Sequence, residues 1–89
     1  MGTIFADRFL AMELANRGDV DAALKEYDVL IEQNPDYVPA YFMSAQTLAK
    51  VGRNPDAVEK LKAGIGCAAR TGNRHALSEM QTMLDELDR

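Results

Sequence analysis

Absences narrow this sequence first. It holds one cysteine, Cys67, one histidine, His75, and no tryptophan. A lone cysteine closes no disulfide within the chain, which suits a reducing compartment. One thiol and one imidazole leave no pair of soft ligands for a zinc site. A di-iron bundle needs Glu-x-x-His pairs, and the residue three before His75 is Gly72. There is no run of lysine or arginine, and the formal charge is −4. Nucleic acid and anionic membranes both require positive charge to offset phosphate, so neither is an expected partner. No stretch approaches the roughly 20 apolar residues of a membrane span. Asp7 and Arg8 interrupt the N-terminal apolar stretch before a signal-like core forms, and Ala6 stands where a myristoylation signal needs Ser or Thr. The expectation is a soluble, cytoplasmic protein.

What is present is helical. Apolar content of 47% and charged content of 27% fit one globular domain spanning residues 1–89. In Gly18–Tyr37, the residues Val20, Ala23, Leu24, Tyr27, Leu30 and Ile31 recur at i, i+3, i+4, i+7, with Asp21, Lys25, Asp28 and Glu32 between them. That spacing makes one buried and one wet face of a helix over Asp19–Gln33. Asp19 is placed to cap it, and Asn34-Pro35 ends it. A first helix is predicted over Thr3–Arg17, with Thr3 as cap, Leu10 and Leu14 on one side, and Phe5, Phe9 and Met12 nearly opposite. The third runs from about Tyr37 to Val51, capped by Asp36, with a Val38, Tyr41, Ala45, Leu48 stripe. Asn54-Pro55, in cap-then-proline order, opens a fourth to about Arg70, burying Ala57, Val58, Leu61, Ile65 and Ala68. Thr71-Gly72-Asn73 is the next stop and cap, before a fifth, roughly Arg74–Asp88, which has Leu77, Met80, Met83, Leu84 and Leu87 on one face and only polar residues on the other. Gly64 inside the fourth helix costs about 1 kcal/mol relative to Ala unless a neighbouring helix approaches there. Gly66 has no such explanation from the pattern. The chain reads as all-α.

The pattern repeats. Ala11/Ala45, Leu14/Leu48, Ala15/Ala49, Gly18/Gly52, Ala23/Ala57 and Ile31/Ile65 are identical at an offset of 34, and Leu24/Val58 and Tyr27/Leu61 stay apolar. Two helices in each 34-residue period is the tetratricopeptide spacing. Over Ile4–Thr71 the chain resembles the tetratricopeptide repeat family. The family's small residue in the first helix of each repeat is matched by Ala11 and Ala45, and its alanine early in the second helix by Ala23 and Ala57. The large residue four positions on is Tyr27 or Leu61, and Pro35 matches the closing proline. Asp7 replaces a usual aromatic, Ser44 an expected leucine and Ala69 a second closing proline. The resemblance implies antiparallel hairpins stacked in a right-handed superhelical array. The repeats would cover about residues 4–37 and 38–71, with a capping helix over 73–88.

Nothing in the sequence supports catalysis. Cys67 has no base at a suitable spacing, and carboxylate pairs such as Glu32/Asp36 and Asp85/Asp88 lie on polar faces. Gly64 and Gly66 follow no strand, so they make no phosphate loop. No catalytic, metal-binding or cofactor-binding residues are expected, and no cofactor. The resemblance instead implies a protein–protein interaction scaffold whose first helices line a concave groove for a peptide or helix of a partner. Carried over by position, the groove residues are Phe5, Arg8, Met12, Ala15 and Asn16 in the first repeat, and Pro39, Phe42, Gln46 and Lys50 in the second. Arg8 matches one position of the cationic clamp that some members use for a C-terminal carboxylate. Met12 and Met43 stand where that clamp has asparagine, so that partner class is not expected. The alternative is self-association: the sequence places nothing ahead of the first helix to cover Phe5, Phe9 and Met12, and a homodimer would bury them.

Overall fold

The computed structural model describes residues 8–88 and folds them into five α-helices with no strand among them. These are α1 (Arg8–Asn16), α2 (Val20–Gln33), α3 (Val38–Lys50), α4 (Asn54–Thr71) and α5 (Arg74–Leu87). Every predicted helix is present, with ends within a residue or two where they are described. The predicted start at Thr3 lies outside the described residues, as does Phe5.

The helix breaks follow from glycine. Gly18 and Gly52 take φ of 90° and 83°, which L side chains resist. Gly18 N–H donates to Ala15 O at 3.1 Å and Asp19 N–H to Leu14 O at 2.9 Å. Gly52 N–H donates to Ala49 O at 3.1 Å and Arg53 N–H to Leu48 O at 2.9 Å. The residues identical in sequence thus close α1 and α3 with the same pair of bonds.

Three expected caps are corrected. Asp36 does not cap α3; Tyr37 stands at that boundary, and the Asp36 carboxylate turns to Arg70 at 2.8 Å. Asn54 is already helical, because the first bond of α4 runs from Ala57 N–H to Arg53 O at 3.1 Å. Asp19 does precede α2, but its ψ of 66° falls short of the extended range of a capping residue and its side chain caps nothing. Asn73 behaves as the sequence suggests: its Oδ1 accepts from Ala76 N–H at 3.1 Å.

Packing centres on α3, which lies against α2 and α4 and touches α1 and α5. Ala11 and Ala23, like Ala45 and Ala57, are fully buried, and small side chains there let paired helices approach. Leu61 and Tyr27 fill the space one turn further on. The larger core cluster joins Val38, Ala45, Leu48, Ala57, Leu61, Cys67, Ala68 and Met80, with Leu77, Met83, Leu84 and Leu87 of α5 packed on it. The smaller joins Ala11, Ala23 and Tyr27 with Leu14, Leu30 and Met43 around them. Gly64 is where α3, α4 and α5 meet: a Cβ there would lie 2.6 Å from Met80 Sδ and 2.7 Å from Tyr41 Cβ.

The turn between α2 and α3 is tied down by polar contacts. Tyr41 Oη donates to Pro35 O at 2.8 Å, and Cys67 Sγ donates to the same oxygen at 3.4 Å. Burial pushes both the Tyr41 phenol and the Cys67 thiol above their ordinary pKa. Cys67 is therefore a core residue with a fixed partner, not an activated thiol. On α1, Leu14 is packed but Leu10, expected beside it, is exposed along with Phe9 and Met12.

Candidate partner-binding site

Two hollows lie side by side across α3. The first, of about 540 Å³, lies between α1 and α3. Met12, Ala15 and Asn16 form one wall, and Met43, Gln46, Thr47, Lys50 and Val51 the other. Tyr27 lies beneath, and Arg17, Gly18 and Val20 close one end. The second, of about 460 Å³, lies between α3 and α5, with Phe42 and Gln46 facing His75, Ser78, Glu79, Thr82, Met83 and Glu86. Gln46 belongs to both. The walls are built alike: Met43 and Thr47 on α3, with Val51 just past its end, recur every four residues, as Ser78, Thr82 and Glu86 do on α5. Residues four apart share one face of a helix.

The chemistry of the two differs. The first has an apolar floor and carries Arg17 and Lys50 with no carboxylate. Arg17 holds Glu13 at 3.0 Å, while Lys50 has no ion pair among the described residues. The second carries Glu79 and Glu86 with no lysine or arginine, and His75 Nε2 sits 3.4 Å from Glu79. Burial pushes the Tyr27 phenol up, opposed by its hydrogen bond with Thr47. Both volumes are in the range that holds one or a few inserted side chains.

Comparison with known proteins finds tetratricopeptide repeat relatives. The sequence profile of the tetratricopeptide repeat matches residues 26–59. A tetratricopeptide repeat domain protein from Salinibacter ruber, solved in solution, superposes with a TM-score of 0.83 at 28% identity, covering 96% of this chain and 90% of that one. Over residues 26–59 the chain is similar to the tetratricopeptide repeat, and over nearly its whole length it shares the fold of the Salinibacter ruber repeat domain.

A crystal structure of a tetratricopeptide repeat domain protein from Salinibacter ruber gives a TM-score of 0.79 at 29% identity, over 92% of this chain and 97% of the other. A Bordetella parapertussis protein gives 0.81 at 28% identity, over 92% and 72% respectively. An uncharacterised Methanocaldococcus jannaschii protein is 39% identical over 54 residues, 61% of this chain. That match spans 63% of the relative's own length, under two thirds of it. No described helix is long and apolar enough to cross a membrane.

Of the residues the sequence singled out, Met12, Ala15, Asn16, Gln46 and Lys50 meet in the first hollow, and Phe42 and Gln46 in the second. Arg8 lines neither: its Nη1 donates to Tyr37 Oη at 3.2 Å, and its guanidinium lies 5.0 Å from the Phe9 ring centre. Pro39 is exposed but also lines neither. Phe42 is half-buried against the core, so it is partly a packing residue. The sequence pattern did not place Val20, Met43 or Thr47, nor any of the polar face of α5, in the groove. The four-residue rows on α3 and α5 were the available signal.

Proposed function

We propose that this chain is a non-enzymatic interaction module that holds a segment of a partner protein across α1, α3 and α5. The carrying observation is the pair of adjoining hollows that share Gln46. The first hollow takes an apolar side chain against Met12, Met43 and Val20. The Gln46 and Asn16 amides, both exposed, supply donors and acceptors to a partner's main chain. A photo-crosslinking amino acid at Gln46 tests this in the source cell, with Lys62 on α4, exposed and outside both hollows, as control. Crosslinks to a protein partner from position 46 alone are expected, and adding Met12→Glu should abolish them. Equal crosslinking from both positions, or crosslinks that survive Met12→Glu, refute the groove assignment.

A second reading has its own observation: Phe9, Leu10 and Met12 are 66%, 44% and 41% exposed on one short helix. Pairing of two copies through this face would remove that surface from water at about 25 cal/mol per Å² before the costs of association. Sedimentation across a concentration series tests it. A dimer that Phe9→Glu converts to monomer is the expected result, and a monomer at every concentration eliminates this reading.

A further inference from the structure

We infer that the partner segment is bipolar: apolar at its centre, acidic where it lies over α1 and α3, and basic where it lies over α5. This rests on the groove reading above. The chain has 14 acidic and 10 basic residues, yet no carboxylate lines the first hollow, where Lys50 has no ion pair among the described residues and Arg17 is already held by Glu13 at 3.0 Å. The neighbouring hollow reverses the sign, with Glu79 and Glu86 and no lysine or arginine. Met12 and Met43 on one side of Gln46 and Phe42 on the other set the apolar register between the charged ends. A uniformly acidic segment places like charge against Glu79 and Glu86, and a uniformly basic one against Arg17 and Lys50. Only a segment whose charge changes sign along its length satisfies both ends. Each exposed charge contact changes affinity by about two- to fivefold, so the ends act more on selection than on strength.

The test is selection of a phage-displayed random peptide library on the intact chain, followed by fluorescence anisotropy of the enriched peptides. Enriched peptides should carry Asp or Glu on one side of an apolar centre and Lys or Arg on the other. Lys50→Glu should weaken them about fivefold, and should have no such effect once the peptide's acidic residues are changed to amides. Glu79→Lys with Glu86→Lys should do the same through the peptide's basic end. Both variants alter exposed side chains, and circular dichroism verifies their fold. Peptides that lose binding with Met12→Glu yet carry charge of one sign, or in no order, overturn the bipolar inference and leave the groove reading standing. Failure to enrich any peptide sensitive to Met12→Glu overturns both.

Discussion

Gly64 and Gly66 lie two residues apart in the same helix, and replacing each with alanine should move stability in opposite directions. Both substitutions gain the same local term, since alanine favours a helix interior over glycine by about 1 kcal/mol. What differs is the neighbourhood. At Gly66 nothing lies within 4 Å of the new Cβ, so the local gain stands. At Gly64 the Cβ would meet Met80 Sδ at 2.6 Å and Tyr41 Cβ at 2.7 Å. Methionine can swing its sulfur aside, but Tyr41 Cβ is fixed to the backbone of α3 and moves only if α3 and α4 separate. Overpacking costs about 1–3 kcal/mol. Two contacts inside 3.0 Å, one of them to a Cβ that cannot swing away, put Gly64 in the upper part of that range, about 2–3 kcal/mol, above the propensity gain. The net expectation is a loss of about 1–2 kcal/mol for Gly64→Ala and a gain of about 0.5–1 kcal/mol for Gly66→Ala. For a domain of this size those values correspond to Tm changes of roughly −5 to −10 °C and +3 to +6 °C. Thermal melts followed by far-ultraviolet circular dichroism read both. A Gly64→Ala protein that melts at or above the parent temperature, or two shifts of the same sign, would refute the account of how α3, α4 and α5 are spaced.

Ser44 is fully buried with no partner for its hydroxyl, in a position where the family has leucine. Ser44→Ala should therefore raise stability by about 1 kcal/mol in urea denaturation, and a loss would mean the hydroxyl is satisfied. Asn73→Ala removes the bond to Ala76 N–H and should cost about 1 kcal/mol, read in the same assay; an unchanged midpoint would show that this cap contributes nothing. Cys67, Tyr41 and Tyr27 are all pushed above their ordinary pKa by burial, so the folded chain keeps protons that the unfolded chain releases. Stability is then full below the ordinary cysteine value of 9.0 and falls as pH rises beyond it. A urea midpoint that stays level above that pH, or a fall that Cys67→Ala does not blunt at its start, would contradict this.

The helices were legible because their signals are local. The 3.6-residue period in Val20–Ile31 and the glycines at 18, 52 and 72 depend only on neighbours in sequence, and the structure follows them. The buried faces of α2, α4 and α5 follow for the same reason, and Gly64 fits its expectation of a close neighbour. The misplaced details depend on tertiary neighbours. Asp36 is drawn off its expected cap by Arg70, 34 residues away, and Arg8 is engaged by Tyr37, 29 residues away. Phe42 lies on the face opposite the core stripe, as the phase requires, but α5 comes close enough to half-bury it. Periodicity says which side of a helix meets the core. It does not say which second helix flanks the remaining side, and the hollows are made between helices.

The same reasoning explains why so little of α3 is free to evolve a binding preference. Ten of its thirteen residues are buried or half-buried, six fully, against α2, α4 and the flanking helices. The three left exposed are Pro39, Gln46 and Lys50. Pro39 is held by the geometry of the first helical turn, where a missing N–H costs nothing. Gln46 and Lys50 therefore carry the surface chemistry of the central helix, and both line a hollow. Neither makes an ion pair among the described residues, so substitution there leaves the stack intact. A repeat built this way separates the residues that set the shape from those left free on its surface. The separation is visible along a single helix: the row through Ala45 and Leu48 is fixed by packing, and the row through Gln46 and Lys50 is not.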